Sequence, residues 1–439
     1  MGVLAEETNL VPGDLIKFRY TVLRKLGQGG FGAVYLVEDG QATNTEKEAG
    51  KAQYAMKVEA AKVQFQLLKM EVLVLKELLD TERTRHVCKI VDRGKNKWFS
   101  YVVMTVVSHS LGDLRKACPR RRFSLGTALR VGIQCLEGLE DLHSISFIHR
   151  DIKPGNFAIG REESGEQRVV FMLDFGLARK YTNSAGELRT PRASVGFRGT
   201  VRYASLSCHF SKEQSRKDDL ETWYYRRPPS AYSTLGRTSI FLEFIDTNVN
   251  PMAAVYQQFE ITKGRLPWAH IVSKEEVGAW KKKARQSGEL AVVPFVPKQY
   301  GEILAYSLLY VDALRFWTTP DYEYLYKLLR DAMLEANVRS SDPYDWESGG
   351  EARAQTLRMP APGYNPHKEA PVVGNTGMQT AGLPTGAGSP TGDVGRTAKG
   401  GAVAAEENKR LSPKGRGGAG GRDAAMTAKT ARPTEQRRP

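Results

Sequence analysis

An aspartate, a lysine and an asparagine lie close together in residues 149–156 of the chain (HRDIKPGN). In a phosphoryl transfer, the protein mainly has to position the reactants and neutralise charge. Asp151 could accept the proton of a hydroxyl group, and Lys153 could neutralise charge on the transferred phosphate. Asn156 could ligate Mg²⁺ through its amide oxygen. The spacing therefore predicts a site that transfers phosphate from ATP with the help of Mg²⁺.

A second carboxylate follows at a suitable distance. Asp174 opens the tripeptide DFG at residues 174–176, eighteen residues after Asn156, and a β-prone run at 169–173 leads into it. Hard divalent cations favour carboxylate oxygens, so Asp174 is predicted to bridge Mg²⁺ to the phosphates. Either motif alone, HRDIKPGN or DFG, would be a weak signal, but their order along the chain supports one shared site.

A glycine-rich stretch, GQGGFG, occupies residues 27–32. Backbone without a Cβ can lie against phosphates and offer its N–H groups to them. A dinucleotide-binding turn would need a helix directly after the glycines, whereas a β-prone run follows here at 34–37. We therefore expect a loop between two strands that covers the phosphates. The residues expected to contact the nucleotide are Leu26, Gly27, Gln28, Gly29, Gly30, Phe31, Gly32 and Val34.

Lys57 ends the tripeptide AMK within an apolar, β-prone run at residues 54–58. A lysine in such a strand is costly unless its ammonium meets anions. We expect Lys57 to hold the α- and β-phosphates and to pair with a helical glutamate. Glu71 is the preferred partner because it lies among apolar residues of the next predicted helix. Glu77 and Glu59 are the less favoured alternatives.

These residues need a framework of strands followed by helices. Short β-prone runs separated by turn residues predict strands at 20–26, 34–38 and 54–58. Apolar residues three and four apart predict a helix at 64–79, and residues 125–145 and 301–335 also have helical patterns. Strands first and helices later indicate an α+β fold, with a small β-rich lobe on a larger helical lobe.

The chain resembles one group of protein kinases in particular. Residues 199–205 (GTVRYAS) stand where most protein kinases carry Ala-Pro-Glu, and this replacement is typical of the casein kinase 1 group. Segments 173–179 (LDFGLAR), 181–184 (YTNS), 196–202 (GFRGTVR) and 341–347 (SDPYDWE) resemble the tau-tubulin kinases within it, including divergent nematode members. The resemblance covers roughly residues 14–347.

This resemblance implies a bilobal protein kinase fold, use of ATP and Mg²⁺, and transfer to serine or threonine. The position of Lys153, two residues after the aspartate, is that of serine/threonine kinases. The resemblance places the adenine site at residues 104–107, with Met104, Thr105 and Val107 in contact and backbone groups of the last two on the adenine edge. It also implies protein substrates that are acidic, cytoskeletal or already phosphorylated.

The resemblance further assigns phosphate recognition to two arginines, Arg150 and Arg202. A guanidinium group binds phosphate in a bidentate manner, which suits that role. A further family lysine, four residues past the Leu-Pro-Trp motif, is replaced here by Val272, and Lys274 is offset from it. The departure leaves the need for a phosphorylated substrate open.

An interruption separates the motif DDLE at 218–221 from Leu-Pro-Trp at 266–268. Asp219 is expected to hold the backbone of the catalytic loop. In the resembling family, about 13 residues of one helix separate the two motifs, and removal of residues 226–256 restores that spacing. We favour translated non-coding sequence over a true loop insertion. A chain spoiled by this segment would be a pseudokinase scaffold, the alternative to an active enzyme.

The remaining organisation follows from composition. We expect an N-terminal extension at 1–13, a kinase domain at 14–347 (N-lobe and hinge 14–107, C-lobe 108–347), and a disordered basic tail at 348–439 that is rich in Gly, Pro and Ala. The four scattered cysteines favour a reducing compartment and argue against zinc or a disulfide framework.

The net charge of +15 favours acidic partners but does not choose among them. No apolar run is long enough for a membrane span, and no signal peptide pattern is present. We expect a monomer in the cytoplasm or nucleus that acts on protein substrates, and we do not expect nucleic acid to be its main partner.

Overall fold

The computed structural model describes residues 8–28, 32–63, 66–82, 84–223, 260, 266, 268–286, 310–311, 313–350 and 359. The chain divides into two units, Met1–Met378 and Gln379–Pro439, and all described residues belong to the first. The predicted interruption at 226–256 and the tail from residue 360 onward lie outside the described residues. So do three predicted loop residues, Gly29, Gly30 and Phe31.

The N-terminal lobe is built on one antiparallel sheet with the strand order β1-β2-β3-β4-β6-β5. Its strands are β1 (Leu15–Ile16), β2 (Tyr20–Gln28), β3 (Gly32–Asp39), β4 (Gln53–Ala60), β5 (Ile90–Lys95) and β6 (Phe99–Thr105). Alternate residues such as Tyr20, Val22, Met56 and Val58 are buried in one cluster, as a period of two requires. The predicted strands at 20–26, 34–38 and 54–58 lie within β2, β3 and β4.

Two helices belong to this lobe, α1 (Asn44–Glu48) and α2 (Leu67–Leu79). Leu68, Glu71, Leu75 and Leu78 recur three and four apart and, with Val74, form the buried face of α2. The carboxylate of Glu59 accepts hydrogen bonds from the first two helical amides, at 2.9 and 3.2 Å, and so caps the N-terminus. The helix therefore begins three residues later than the predicted start at 64.

The C-terminal lobe is mainly helical. Its helices are α3 (Leu111–Ala117), α4 (Leu125–Ser144), α5 (Leu206–His209), α6 (Arg216–Trp223), α7 (Lys274–Gln286) and α8 (Tyr322–Glu335). Ser124 caps α4, whose residues Leu136, Leu139 and Leu142 share one hydrophobic cluster with Leu329 of α8. The predicted α+β fold, with a β-rich N-lobe and a helical C-lobe, is confirmed.

The prediction of one helix over 301–335 is wrong in its middle part. Helix α8 begins only after Asp321, whose side chain accepts a hydrogen bond from Tyr324 N, and residues 314–321 are turns and irregular chain. Pro320 explains the break, because proline lacks an N–H and disfavours the helical region in the residue before it. Residues 301–309 lie outside the described part of the chain.

Short strands and turns between α4 and α5 carry the predicted catalytic residues. Strand β7 (Phe147–Ile148) pairs with β10 (Arg179–Lys180), and β8 (Phe157–Ile159) pairs with β9 (Val170–Met172). Two 3₁₀ turns, Pro154–Asn156 and Phe175–Leu177, lie before β8 and after β9. The pairings bring the two sequence motifs to the same end of the lobe.

Residues 341–347 form a strap across the back of this region. Arg130 of α4 donates to the carbonyl oxygens of Asp342 and Pro343 at 2.5 and 2.9 Å. The ring of Tyr344 stacks on Trp346 with centroids 4.7 Å apart, and the Trp346 indole donates to the carbonyl of Gln167 at 3.0 Å. The strap thus joins α4 to the loop between β8 and β9.

Among the described residues, no helix has the length and apolar character that a membrane crossing requires.

Candidate active site

Lys57 on β4 lies between two carboxylates. Its ammonium is 2.5 Å from Glu71 Oε2 and 3.0 Å from Asp174 Oδ1. Burial alone lowers the pKa of Lys57, but Asp174 and Glu71 together raise it above its ordinary value, so the ammonium stays charged. The site therefore has a fixed cation where a phosphate chain could lie.

The structure separates the three glutamates considered as partners for Lys57. Glu71 is buried on the inner face of α2 and contacts the lysine. Glu77, on the same helix, bonds Lys180 at 3.0 Å, and Glu59 is occupied as the cap of α2. Helical periodicity explains the choice, because Glu71 lies on the same face as the apolar residues that pack inward.

The glycine-rich stretch connects β2 to β3. Gly27 pairs with Val34 and Gln28 with Ala33 across the two strands, so the described ends of the stretch lie on one antiparallel strand pair. A Cβ built on Gly32 would lie 1.9 Å from the carbonyl oxygen of Val58. Only glycine allows this close approach of the two strands.

An apolar cleft lies between the strand pair β2–β3 and the C-lobe. It is lined by residues from both lobes, including Leu26, Val34, Ala55, Lys57, Met104, Thr105, Val107 and Leu173. The amide of Thr105 donates to the Lys89 carbonyl at 3.0 Å. Thr105 can therefore offer adenine its carbonyl oxygen and not its N–H. A mainly apolar cleft that offers a backbone acceptor is the type of cavity that a nucleobase fits.

The predicted catalytic loop brings four polar side chains together, all of them buried. Lys153 Nζ is 2.9 Å from Asp151 Oδ2 and 2.9 Å from Thr200 Oγ1. The Thr200 hydroxyl donates to Asp151 Oδ1 at 2.7 Å. Asn156 Nδ2 donates to the Asp151 carbonyl oxygen at 2.8 Å. Asn156 Nδ2 also lies 3.2 Å from Asp151 Oδ2. The carboxylate of Asp151 is therefore held in one orientation by a lysine, a threonine and an asparagine.

The same loop offers a metal an oxygen ligand. Asn156 Oδ1 is buried and has no hydrogen-bond partner, while its amide nitrogen is fixed on Asp151. The Asn156 carbonyl accepts a bond from Leu173 N at 2.8 Å, which ties the loop to the strand that precedes Asp174. An orphaned amide oxygen beside a carboxylate fits a hard cation such as Mg²⁺. Across the described residues, no group of three or more His, Cys, Asp or Glu side chains is arranged to hold a metal ion.

Asp219, at the start of α6, holds the backbone of the catalytic loop. Its carboxylate accepts bonds from His149 N at 2.6 Å, Arg150 N at 2.9 Å and His143 Nε2 at 3.0 Å. Burial alone raises the pKa of Asp219, but these donors lower it below its ordinary value. Arg150 has a φ of 69°, a strained conformation for a residue with a side chain, and Asp219 stabilises it.

The two arginines proposed for phosphate recognition have different surroundings. Arg150 donates to the Leu177 carbonyl at 2.7 Å; burial and the nearby cations lower its pKa to about 10. Three further guanidinium groups, those of Arg179, Arg192 and Arg198, act on it electrostatically, and so does the carboxylate of Glu213. This basic cluster is placed beside the catalytic loop.

Arg202 points to a different part of the lobe. It donates to the Ala269 carbonyl at 3.1 Å and lies 3.6 Å from the buried carboxylate of Glu260. Val272, at the position of the family lysine, is 89% exposed, and Lys274 lies 3.4 Å from Glu275. The geometry supports a phosphate site at Arg150 better than one at Arg202.

The catalytic motifs of the sequence do not include Thr200, which the structure adds to the site. Thr200 lies in the run GTVRYAS at 199–205, and from the sequence alone that run indicates only the kinase group. Gly199 just before it has a φ of 115°, and a Cβ there would lie 2.5 Å from the Arg150 carbonyl oxygen. The glycine lets the segment approach the catalytic loop closely enough for the hydroxyl to reach Asp151.

Comparison with known proteins agrees with this geometry. Residues 20–214 match the family model of the protein kinase domain. A putative serine/threonine-protein kinase of Caenorhabditis elegans is 36% identical over 351 residues, which cover 79% of this chain and 86% of the relative. The chain belongs to the protein kinase family. Its relatives include further serine/threonine kinases.

A probable serine/threonine-protein kinase of Dictyostelium discoideum is 34% identical to this kinase over 335 residues, or 76% of the chain. The chain spans 58% of that relative's own length. A putative casein kinase I of Caenorhabditis elegans is 26% identical over 349 residues, which cover 78% of the chain and 88% of the relative. The likeness to casein kinase I is thus more distant than the likeness to serine/threonine kinases in general.

Proposed function

We propose that the chain is an active serine/threonine protein kinase that transfers the γ-phosphate of ATP to hydroxyl groups of protein substrates. The observation that carries this proposal is the arrangement of Asp151 with Lys153, Thr200 and Asn156. A pseudokinase scaffold has no need to keep a buried carboxylate, its lysine and an unpartnered amide oxygen in one place. The alternative is therefore disfavoured.

In this reaction Asp151 accepts the hydrogen bond, and finally the proton, of the substrate hydroxyl. Thr200 and Lys153 hold its two carboxylate oxygens, so the base is oriented before substrate arrives. When bound, ATP supplies the phosphoryl group and Mg²⁺ neutralises its charge. Lys57 would hold the phosphates, and Asn156 and Asp174 would provide oxygen ligands for the cation.

We place the enzyme in the casein kinase 1 group, on a branch like the tau-tubulin kinases. The sequence segments that resemble that branch support this, and so does the distant likeness to a putative casein kinase I. Acidic or phosphorylated substrates fit the basic cluster around Arg150, to which Arg179, Arg192 and Arg198 contribute and in which Glu213 pairs with Arg179 and Arg192. A cytoskeletal substrate follows from the family resemblance alone.

The test is transfer of labelled phosphate from ATP to an acidic protein, with phosphoamino-acid analysis of the product. We expect phosphoserine and phosphothreonine from the wild type and none from Asp151→Asn, which keeps the size of the side chain. Failure of a folded wild-type chain to label any substrate, while it still binds nucleotide, would establish the scaffold instead.

We also propose the domain limits 14–347, with residues 226–256 foreign to the natural fold. The assay should therefore include a chain without that segment. Reads of the transcript that join the codons of Tyr225 and Gln257 would support the proposal. Continuous reads through the segment would refute it and leave a genuine insertion.

A further inference from the structure

A buried lysine lies outside the site described so far. Lys281 of α7 is 1% exposed, although it is the first of three consecutive lysines. Its ammonium donates to the Ala204 carbonyl at 2.7 Å, to the Val201 carbonyl at 3.4 Å and to His209 Nε2 at 3.1 Å. All three N–H groups therefore have acceptors on the segment from Val201 to His209.

The state of His209 makes it a true acceptor. Its Nδ1 lies 2.8 Å from the Lys274 carbonyl, which can only accept, so the proton is on Nδ1 and the lone pair on Nε2 faces Lys281. Burial and the neighbouring ammonium lower the pKa of His209 to about 3. The imidazole is neutral at working pH and does not repel the lysine.

A tryptophan supports the same segment from beside the lysine. Trp268 is buried, and its indole N–H donates to the Arg202 carbonyl at 2.8 Å. The Lys281 ammonium also lies 5.3 Å from the centre of the Trp268 ring, a cation–π contact. Three carbonyl groups within residues 201–204 thus accept bonds from these two side chains.

The segment they hold begins directly after Thr200, which bonds the carboxylate of Asp151. If Asp151 receives the substrate hydroxyl, as proposed above, the chain directly after Thr200 adjoins the place where the neighbouring residue of a peptide substrate would lie. A buried cation is costly, and an apolar side chain of similar length would fill the same space without that cost. The retained charge serves to fix these carbonyls rather than to fill the core.

We propose that Lys281 and Trp268 are positioning residues for the protein substrate: they fix the backbone of residues 201–204, so that the partly exposed Val201 and Arg202 form the surface against which the peptide lies beside the phosphate acceptor. The inference rests on the kinase activity proposed above. It assigns no contact of either side chain with ATP. Loss of either donor should therefore loosen the binding of the peptide and spare the nucleotide.

The experiment compares variants in steady-state phosphorylation of a serine peptide that the wild type accepts. We expect Lys281→Met to raise the peptide KM about tenfold, with the ATP KM within about twofold of the wild type. Lys281→Arg keeps the charge and should recover part of the loss. Trp268→Phe, which removes one N–H and keeps the ring packing, should raise the peptide KM about threefold.

Lys282→Met is the matched control, because Lys282 is the exposed neighbour of Lys281 and lies near the ring of Phe210. It should leave both KM values unchanged. Amide exchange of residues 200–206 should be faster in Lys281→Met and Trp268→Phe and unaltered in the control. The amide exchange rate measures directly how firmly the backbone of residues 200–206 is held.

A lower melting temperature of Lys281→Met with an unchanged peptide KM would reduce Lys281 to a structural role and overturn the inference. If that variant does not fold, Trp268→Phe decides in the same way. An inactive wild type would instead refute the proposed kinase activity. An active wild type whose variants bind peptide normally would refute the positioning role alone.

Discussion

Replacement of Thr200 by valine tests the orientation of the proposed base. Valine has nearly the shape of threonine but lacks the hydroxyl that donates to Asp151 Oδ1 at 2.7 Å and accepts from Lys153 at 2.9 Å. The direct contact of Lys153 with the other oxygen of Asp151, also at 2.9 Å, remains. The donation of Asn156 Nδ2 to the same oxygen, at 3.2 Å, also remains. The carboxylate therefore keeps its charge and loses one of the three bonds that fix its direction.

The magnitude follows from the kind of bond that is removed. A hydrogen bond to a charged group contributes about 1.5–3 kcal/mol. If that free energy is lost from the transition state, kcat falls roughly 10- to 150-fold. The ATP KM should stay within about twofold of the wild type, because the groups that would hold the phosphates are on β4 and after β9.

The assay is steady-state phosphorylation of a serine peptide, with kcat and both KM values measured separately. Thr200→Ser is the control, since it keeps the hydroxyl and loses only a methyl group, and it should retain more than about a third of kcat. A valine variant that matches the serine variant in kcat would show that this hydroxyl does not orient the base, and the reasoning would fail.

Three further outcomes are expected. Lys57→Met leaves the Glu71 and Asp174 carboxylates without their shared cation, so kcat/KM for ATP should fall at least about 100-fold, as measured by ATP titration. Asp219→Asn replaces one of the two acceptor oxygens by an NH2 donor, which then faces a backbone amide, and should destabilise the fold by about 2–4 kcal/mol in urea unfolding at neutral pH. Because the folded pKa of Asp219 is lowered, its contribution is present above the unfolded value of about 3.9 and is lost as pH falls through the folded pKa; the difference from Asn should shrink in acid. Tyr344→Ala removes the stacked ring of the strap and should cost about 3–5 kcal/mol in the same unfolding assay, whereas Tyr344→Phe should cost about 1 kcal/mol.

Much of the site could be predicted because the residues that would perform its chemistry lie in short sequence motifs. The order of Lys57, Asp151, Asn156 and Asp174 along the chain follows from strands and turns that position them one after another. The preference for Glu71 also rests on a local rule, since helical spacing places it on the inner face of α2.

Contacts between distant segments could not be predicted in the same way. Lys281 is separated from Ala204 by 77 residues, and a run of three lysines is typical of a solvated helix face. Only the packing of α7 on the segment after Thr200 turns the first of them inward. The irregular chain before α8 departs from the prediction for a different reason. The apolar pattern on either side suggests a continuous helix, although Pro320 interrupts it.

The strap at 341–347 also has a consequence for the time course of synthesis. It anchors α4 and the loop before β9 with residues that leave the ribosome last among those of the domain. About 170 residues separate Asp174 from Tyr344, which corresponds to roughly 10–35 s at typical elongation rates. During that interval both motifs of the site have been synthesised, but the β8–β9 hairpin between them lacks its contacts with the strap. We therefore expect nascent chains stalled before the strap to expose this hairpin to protease and to lack nucleotide binding, so that activity begins only when the domain is nearly complete.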